Sequence, residues 1–227
     1  MGEAEIAIVL LSAKVAFAAI AVALVPAFGV AWILARWTFP GKALLQAAVT
    51  LPLVLPPVVT GYVLLLLFGG RGPLGSFFET WFGISFAFRW TGAALAAGIM
   101  AFPLLVRPIR LSLEAVDPGL EEAAETLGAA RAMTFLTVTL PLVLPGVIAG
   151  SVLGFAKALG EFGATITFVS NIPGQTQTLS LAIYSLMQSP GGDAAALRLI
   201  VISVILAVGA VLASEWIGGR LRRGRRR

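Results

Sequence analysis

The stretch VAFAAIAVALVPAFGVAWILA, residues 15–35, carries no charged side chain and ends against Arg36. A helix crossing a hydrocarbon core about 30 Å thick needs about 20 predominantly apolar residues. This run is therefore long enough to span a membrane by itself. Four more predominantly apolar runs follow, at about residues 44–68, 91–110, 140–159 and 194–217, of which only the first is free of charge. They predict an all-α, polytopic membrane protein with five transmembrane helices, forming a single transmembrane domain over residues 1–227.

Composition agrees. The 227 residues are 59% hydrophobic and 12% charged, with mean hydropathy +0.97, whereas soluble domains run near 25% charged. Five spans and their connections use up the chain and leave no room for a folded extramembrane domain, which excludes most enzymes. Cysteine and histidine are both absent, so thiol chemistry, disulfides, haem, Fe–S clusters and His-ligated zinc are not expected, and no metal or other cofactor is. Nor is there a G-x-x-x-x-G-K-[ST] phosphate loop: Gly41-Lys42 is followed by Ala43 and has no glycine at the required upstream distance. Any energy from ATP must come through a partner that binds it.

Prolines interrupt the spans at Pro26, at Pro52, Pro56 and Pro57, and at Pro103 and Pro108. Neighbouring helices can satisfy the backbone groups such residues free. The amino end carries Glu3 and Glu5 and no basic region, so a cleavable signal peptide is not expected.

An odd number of spans puts the termini on opposite sides, and the positive-inside rule orients them. Arg36, Lys42, Arg107, Arg110, Arg131 and the tail arginines Arg220, Arg222, Arg223, Arg225, Arg226 and Arg227 fall on one side, against Lys14, Arg71, Arg89, Lys157 and Arg198 on the other. The richer side is cytoplasmic, so the amino terminus is outside and the carboxyl terminus inside. Directly after a span, the tail arginines read as an anchor against anionic lipid rather than a nucleic-acid site. The outside connection 69–90 carries Trp81, Phe82, Phe86, Phe88 and Trp90, which suit a short interfacial helix or re-entrant piece, or an aromatic belt with no further role.

The cytoplasmic connection, about 111–138, is the most soluble-like segment. Asp117 is a good N-cap, Pro118 fits the first helical position, and Glu121 and Glu122 sit near the positive end of the helix dipole. Leu120, Ala123, Ala124 and Leu127 recur at i, i+3, i+4 and i+7 as one narrow apolar face. Gly128 stands where a left-handed residue ends a helix. So short a helix is marginal alone in water. Two readings stand: packing on the protein's own membrane domain, or insertion in a groove of a partner.

Glu122-Ala123-Ala124, three residues, Gly128, nine residues, Val138, one residue and Leu140-Pro141 resembles the EAA motif of ABC importer permeases, with Val138 in place of Ile as the one departure. In that family the helix is the coupling helix, held in a cleft of the cytoplasmic ATP-binding subunit. The resemblance thus gives Glu122, Ala123, Ala124 and Gly128 a coupling role, with Leu120 and Leu127 completing the face, on a type I ABC importer permease-like fold. It extends along nearly the whole chain. Arg36-Trp-Thr-Phe-Pro-Gly-Lys42, Leu51-Pro-Leu-Val-Leu-Pro-Pro57 and the stretch from Leu159 through Gly160-Glu-Phe-Gly163 to Thr178 look like the molybdate permease family. Sulfate permeases share the Gly-Glu-Phe-Gly part; Asn171-Ile-Pro-Gly174 and Ser189-Pro-Gly-Gly192 favour molybdate. Some relatives have a sixth, amino-terminal span, which is not expected here.

The resemblance implies a subunit of an ATP-driven importer that moves molybdate across the plasma membrane (the inner membrane of a Gram-negative cell) by alternating access. Its implied partners are a second copy, cytoplasmic ATPase subunits, an extracytoplasmic molybdate-binding protein and membrane lipid, with no nucleic acid. The alternative is the same machine carrying tungstate or sulfate/thiosulfate.

The region between the fourth and fifth spans is unusually polar, with Thr165, Thr167, Ser170, Asn171, Gln175, Thr176, Gln177 and Thr178. It reads either as the lining of an outer mouth or docking surface, or as a solvated external loop. Lys157 and Glu161, at i and i+4, are a possible passage pair, though an ion pair or snorkelling lysine is the commoner explanation. Taken as an acid/base pair they would make an intramembrane enzyme, and a channel or secondary carrier is a third reading. Both leave the capped acidic helix idle.

Overall fold

The computed structural model describes residues 2–224, without the side chains of residues 214, 215 and 217–224. The tail arginines from Arg220 onward therefore lie outside the described side chains. Among the described residues every regular element is helical.

Helix α1 (Glu3–Arg36) is longer than its uncharged core, because the stretch before Lys14 continues the same helix. Its buried residues, among them Ala16, Ala19, Ala23, Ala27 and Ala31, recur every three to four positions as a stripe of small side chains. Without water to drive helices together, close backbone approach along such stripes is the main source of packing energy in a membrane. The stripe lies against α5 (Trp90–Glu114), whose Ala93, Ala97, Met100, Ala101, Leu105 and Ile109 are buried. Helix α8 (Leu140–Leu159) covers the other side of α5 with Gly146, Gly150 and Gly154, one every four residues. A Cβ at Gly150 would stand 3.1 Å from the Leu105 carbonyl oxygen, and one at Gly146 would strike Ser112 and Pro108.

The second apolar run is not one straight span. It forms α2 (Lys42–Val54) and α3 (Pro57–Phe68), bent by 111° at the break. Leu55 is extended (φ −69°, ψ 144°), as a residue before proline must be, and Pro56 precedes Pro57 in turn. Two consecutive residues barred from the helical region make the corner. Among the described residues, four helices are thus long and apolar enough to cross a membrane, or five if the bent pair counts as one span.

Short helix α4 (Pro73–Phe82) gathers the outside aromatics, with Phe78 edge-on to Phe86 and Phe68 edge-on to the same ring. On the other side of the bundle, α6 (Pro118–Thr126) and α7 (Arg131–Thr134) lead through a π-helical turn, Phe135–Thr139, into α8. Two short helices, α9 (Gly163–Val169) and α10 (Leu179–Met187), separate α8 from α11 (Asp193–Gly224). Helix α11 packs on α8 and α10 through Ala196 and Leu199, while Val201, Val204, Ile205, Val208 and Leu212 are exposed. An outward apolar surface of this kind is at home in lipid.

The contacts sort the charges into the two groups used to orient the chain. Arg36 meets Glu121 and Arg110 meets Gln46 at one end of α1, while Arg198 meets Glu5 and Lys14 meets Trp90 at the other.

Candidate functional site

At the cytoplasmic end, α6 is built by its own caps. The Asp117 side chain accepts from the backbone N–H of Gly119, and Pro118 occupies the first turn. At the far end Gly128 turns left-handed at φ +88°; its N–H donates to the Glu125 carbonyl and the Ala129 N–H donates to that of Ala124. This pair of bonds is a Schellman motif, which satisfies the last carbonyls of the helix.

No residue of α6 is buried. Its inward face is not the expected row of Leu120, Ala123, Ala124 and Leu127 but Glu121 and Ala124, both half-buried. Leu120 and Ala123 are exposed, Glu122 points to solvent, and Leu127 is 89% exposed. The protein's own membrane domain therefore leaves most of the apolar row uncovered.

What holds α6 in place is polar. Glu121 Oε1 accepts from Arg36 Nη2 at 2.8 Å and also from the Thr139 hydroxyl. The Arg36 guanidinium lies 5.5 Å from the Trp32 ring centroid, and Trp32 and Phe28 both stand edge-on to Phe135. One carboxylate thus ties α6 to the end of α1 and to the π-helical turn that starts α8. Sequence reasoning missed this: Arg36 entered it as a charge and as the start of a family-like stretch, never as a partner of Glu121, and Thr139 not at all.

At the outer end, Lys157 and Glu161 do meet. Lys157 Nζ donates to Glu161 Oε2 at 2.5 Å, and the Ala164 N–H donates to the other carboxylate oxygen at 3.1 Å. Glu161 is buried and caps the first turn of α9. Thr165 is also buried, and the Thr167 hydroxyl donates back to the Gly163 carbonyl. Asn171 Nδ2 donates to Ser185 Oγ and to the Leu181 carbonyl. The polar stretch is folded: Thr176, fully buried, donates to the Ser170 carbonyl and accepts from the Ile172 N–H. The Leu179 N–H then docks on Ser12 Oγ of α1 at 2.7 Å.

The side chains that line an open cavity at this end are different. The cavity, about 630 Å³, is walled by Lys14 and Leu11 of α1, by residues between Gly83 and Thr91, and by Gly174-Gln175. Lys14 Nζ sits 3.9 Å over the Trp90 ring. With Arg89 it gives the cavity two cations and no carboxylate. Three distant segments build this wall, and the only sequence trace of Lys14 and Arg89 was their place in the charge count.

Residues 27–223 match the family model described as binding-protein-dependent transport system inner membrane component. The chain belongs to that family. It is accordingly a transport component of the inner membrane. It is 58% identical over 219 residues to the molybdenum transport system permease protein ModB of Escherichia coli K12, covering 96% of each chain. It is 42% identical over 182 residues to the sulfate transport system permease protein CysT of Salmonella typhimurium LT2, covering 80% of this chain and 64% of that one. Among solved structures, a bacterial alginate ABC transporter in complex with alginate pentasaccharide-bound periplasmic protein aligns with TM-score 0.74 at 16% identity, covering 97% of this chain and 80% of that one. This likeness shows a shared fold.

Proposed function

We propose that this chain is the membrane-spanning subunit of an ATP-driven importer that carries molybdate inward by alternating access. The carrying observation is the full-length likeness to a molybdenum permease, higher and more complete than the likeness to a sulfate permease. The two-cation outer cavity supports it, since a dianion is drawn to uncompensated positive charge.

In this reading two copies of the chain enclose the passage, and an extracytoplasmic binding protein delivers the ion at the outer face. ATP is bound by a separate cytoplasmic subunit, into which α6 inserts through Leu120, Ala123, Glu122 and Leu127. Gly128 sets the exit angle of the helix. Closure of the ATPases moves α6 as a rigid lever, and the Glu121 tie carries that motion to α1 and α8. Lys157, Glu161, Thr165, Thr167 and Asn171 shape the outer half of the passage by holding α9 and the following loop, rather than by gripping the ion, because an importer must release its cargo.

Uptake of radiolabelled molybdate by cells whose own copy is deleted tests this. Restoration by this chain with its ATPase and binding protein, competed by tungstate but not by sulfate, is the expected result. Competition by sulfate alone would move the cargo to sulfate, and no uptake from an assembled complex would remove the reading.

A further inference from the structure

A second cavity, about 360 Å³, opens at the cytoplasmic end between α2 and α5. Arg107, Arg110, Gln46, Glu114 and Thr50 supply its polar lining, the Thr50 hydroxyl being spent on the Gln46 and Ala47 carbonyls, with Val49 among the apolar residues beneath. The two arginines are not equivalent. Arg110 is used within the protein: Nε donates to Glu114 at 2.7 Å and Nη1 to Gln46 at 3.0 Å. Arg107, exposed and one turn further into the bundle, has no hydrogen-bond or ion-pair partner among the described residues. Glu114, the one carboxylate in the lining, is taken by Arg110.

We infer that this cavity binds a tetrahedral oxyanion through the free guanidinium of Arg107. A cation held at the edge of an apolar cavity gains most from a partner that brings its own charge and several acceptor oxygens, and a planar guanidinium matches a phosphate-like group two oxygens at a time. Basic pockets between transmembrane helices on the cytoplasmic side are where anionic lipid headgroups bind. The apolar floor beneath a basic rim suits the phosphate of such a lipid with the start of its chains. A released oxyanion such as molybdate presents the same tetrahedral face. The inference concerns the site's chemistry and stands whether or not molybdate is the cargo.

The test uses the complete complex, purified in gentle detergent, as wild type, Arg107→Gln, Arg107→Lys and the control Arg131→Gln, whose arginine is exposed on the same side. Two probes are measured on each: phosphatidylglycerol retained per complex by native mass spectrometry, and molybdate bound at equilibrium without binding protein. Arg107→Gln should lower retention of one probe roughly fivefold, the worth of one arginine near an anionic surface. Arg107→Lys should keep most of it, and Arg131→Gln should match wild type. A loss confined to phosphatidylglycerol assigns the site to lipid, and a loss confined to molybdate assigns it to a free oxyanion. Equal retention of both probes by assembled wild type and Arg107→Gln would overturn the inference, as would an equal loss in Arg131→Gln.

Discussion

Arg36, the last residue of α1, donates to the carboxylate of Glu121 in α6 at 2.8 Å across 85 positions of sequence. Each side chain is 22% exposed, so water screens the pair only partly. Because the same oxygen accepts from Thr139, three segments meet at one atom. A helix with no buried residue is thereby held to the bundle by a polar pin, leaving its apolar row open.

Removing the pin should uncouple the machine before it unfolds it. Glu121→Ala loses a screened ion pair and a hydroxyl bond, together about 1–2 kcal/mol. The complex should assemble, with uptake per ATP hydrolysed falling severalfold. Glu125→Ala, on the exposed side of the same helix, should leave that ratio unchanged. Equal ratios in both variants would show that the pin does not transmit motion.

Gly128 is required for its backbone, not for space. No atom lies within 4 Å of a Cβ built there, yet φ is +88°. Gly128→Val therefore sets a β-branched residue in the left-handed region, at a cost of about 1–3 kcal/mol, and should abolish coupled uptake while the chain still inserts. Gly128→Asn, which tolerates that region better, should retain most uptake. Normal uptake by the valine variant would remove the coupling role given to this turn.

The Lys157–Glu161 pair makes an asymmetric prediction. Glu161 is 2% exposed and Lys157 31%, so removing the lysine strands a buried carboxylate. Lys157→Met should lower the melting temperature more than the double variant Lys157→Met/Glu161→Gln, because the single change leaves a buried carboxylate without its cation while the double change removes the charge as well. Melting curves of the purified complex decide it; a double variant that melts no higher than Lys157→Met would mean that the pair is not coupled.

Close approach of α3 and α9 depends on Gly61. A Cβ there would stand 2.5 Å from the Ala164 carbonyl oxygen and 2.9 Å from Thr167 Cβ. Gly61→Ala should push the two helices apart, destabilise the complex by about 1–3 kcal/mol and impair uptake. Gly29→Ala, in α1 with nothing within 4 Å, is the matched control and should be neutral in a melting assay.

The large features were legible because they rest on local rules. Long apolar runs marked the long helices, and Asp117, Pro118 and Gly128 marked both ends of α6. Pro52, Pro56 and Pro57 showed that the second run was interrupted, but not that its halves turn by 111°, since the angle depends on what α3 meets. The Gly146, Gly150 and Gly154 spacing was open to reading as a close-packing face and went unused. The Glu121 pin was not legible: its partners lie 85 and 18 positions away, and a helical wheel ranks glutamate as outward-facing. The outer cavity was hidden for the same reason, its cations coming from α1 and from the turn before α5. Conversely, Asn171 and Thr176 looked available to a ligand, yet the Asn171 amide N–H groups tie the loop to α10 and Thr176 closes the loop on itself.

The central claim is most directly tested by ATP hydrolysis in proteoliposomes containing this chain and its ATPase, with binding protein added outside. The account predicts that molybdate and tungstate stimulate hydrolysis and that sulfate does not. Stimulation by sulfate alone would contradict the cargo, and hydrolysis indifferent to every anion, in a complex shown to be assembled, would contradict the importer itself.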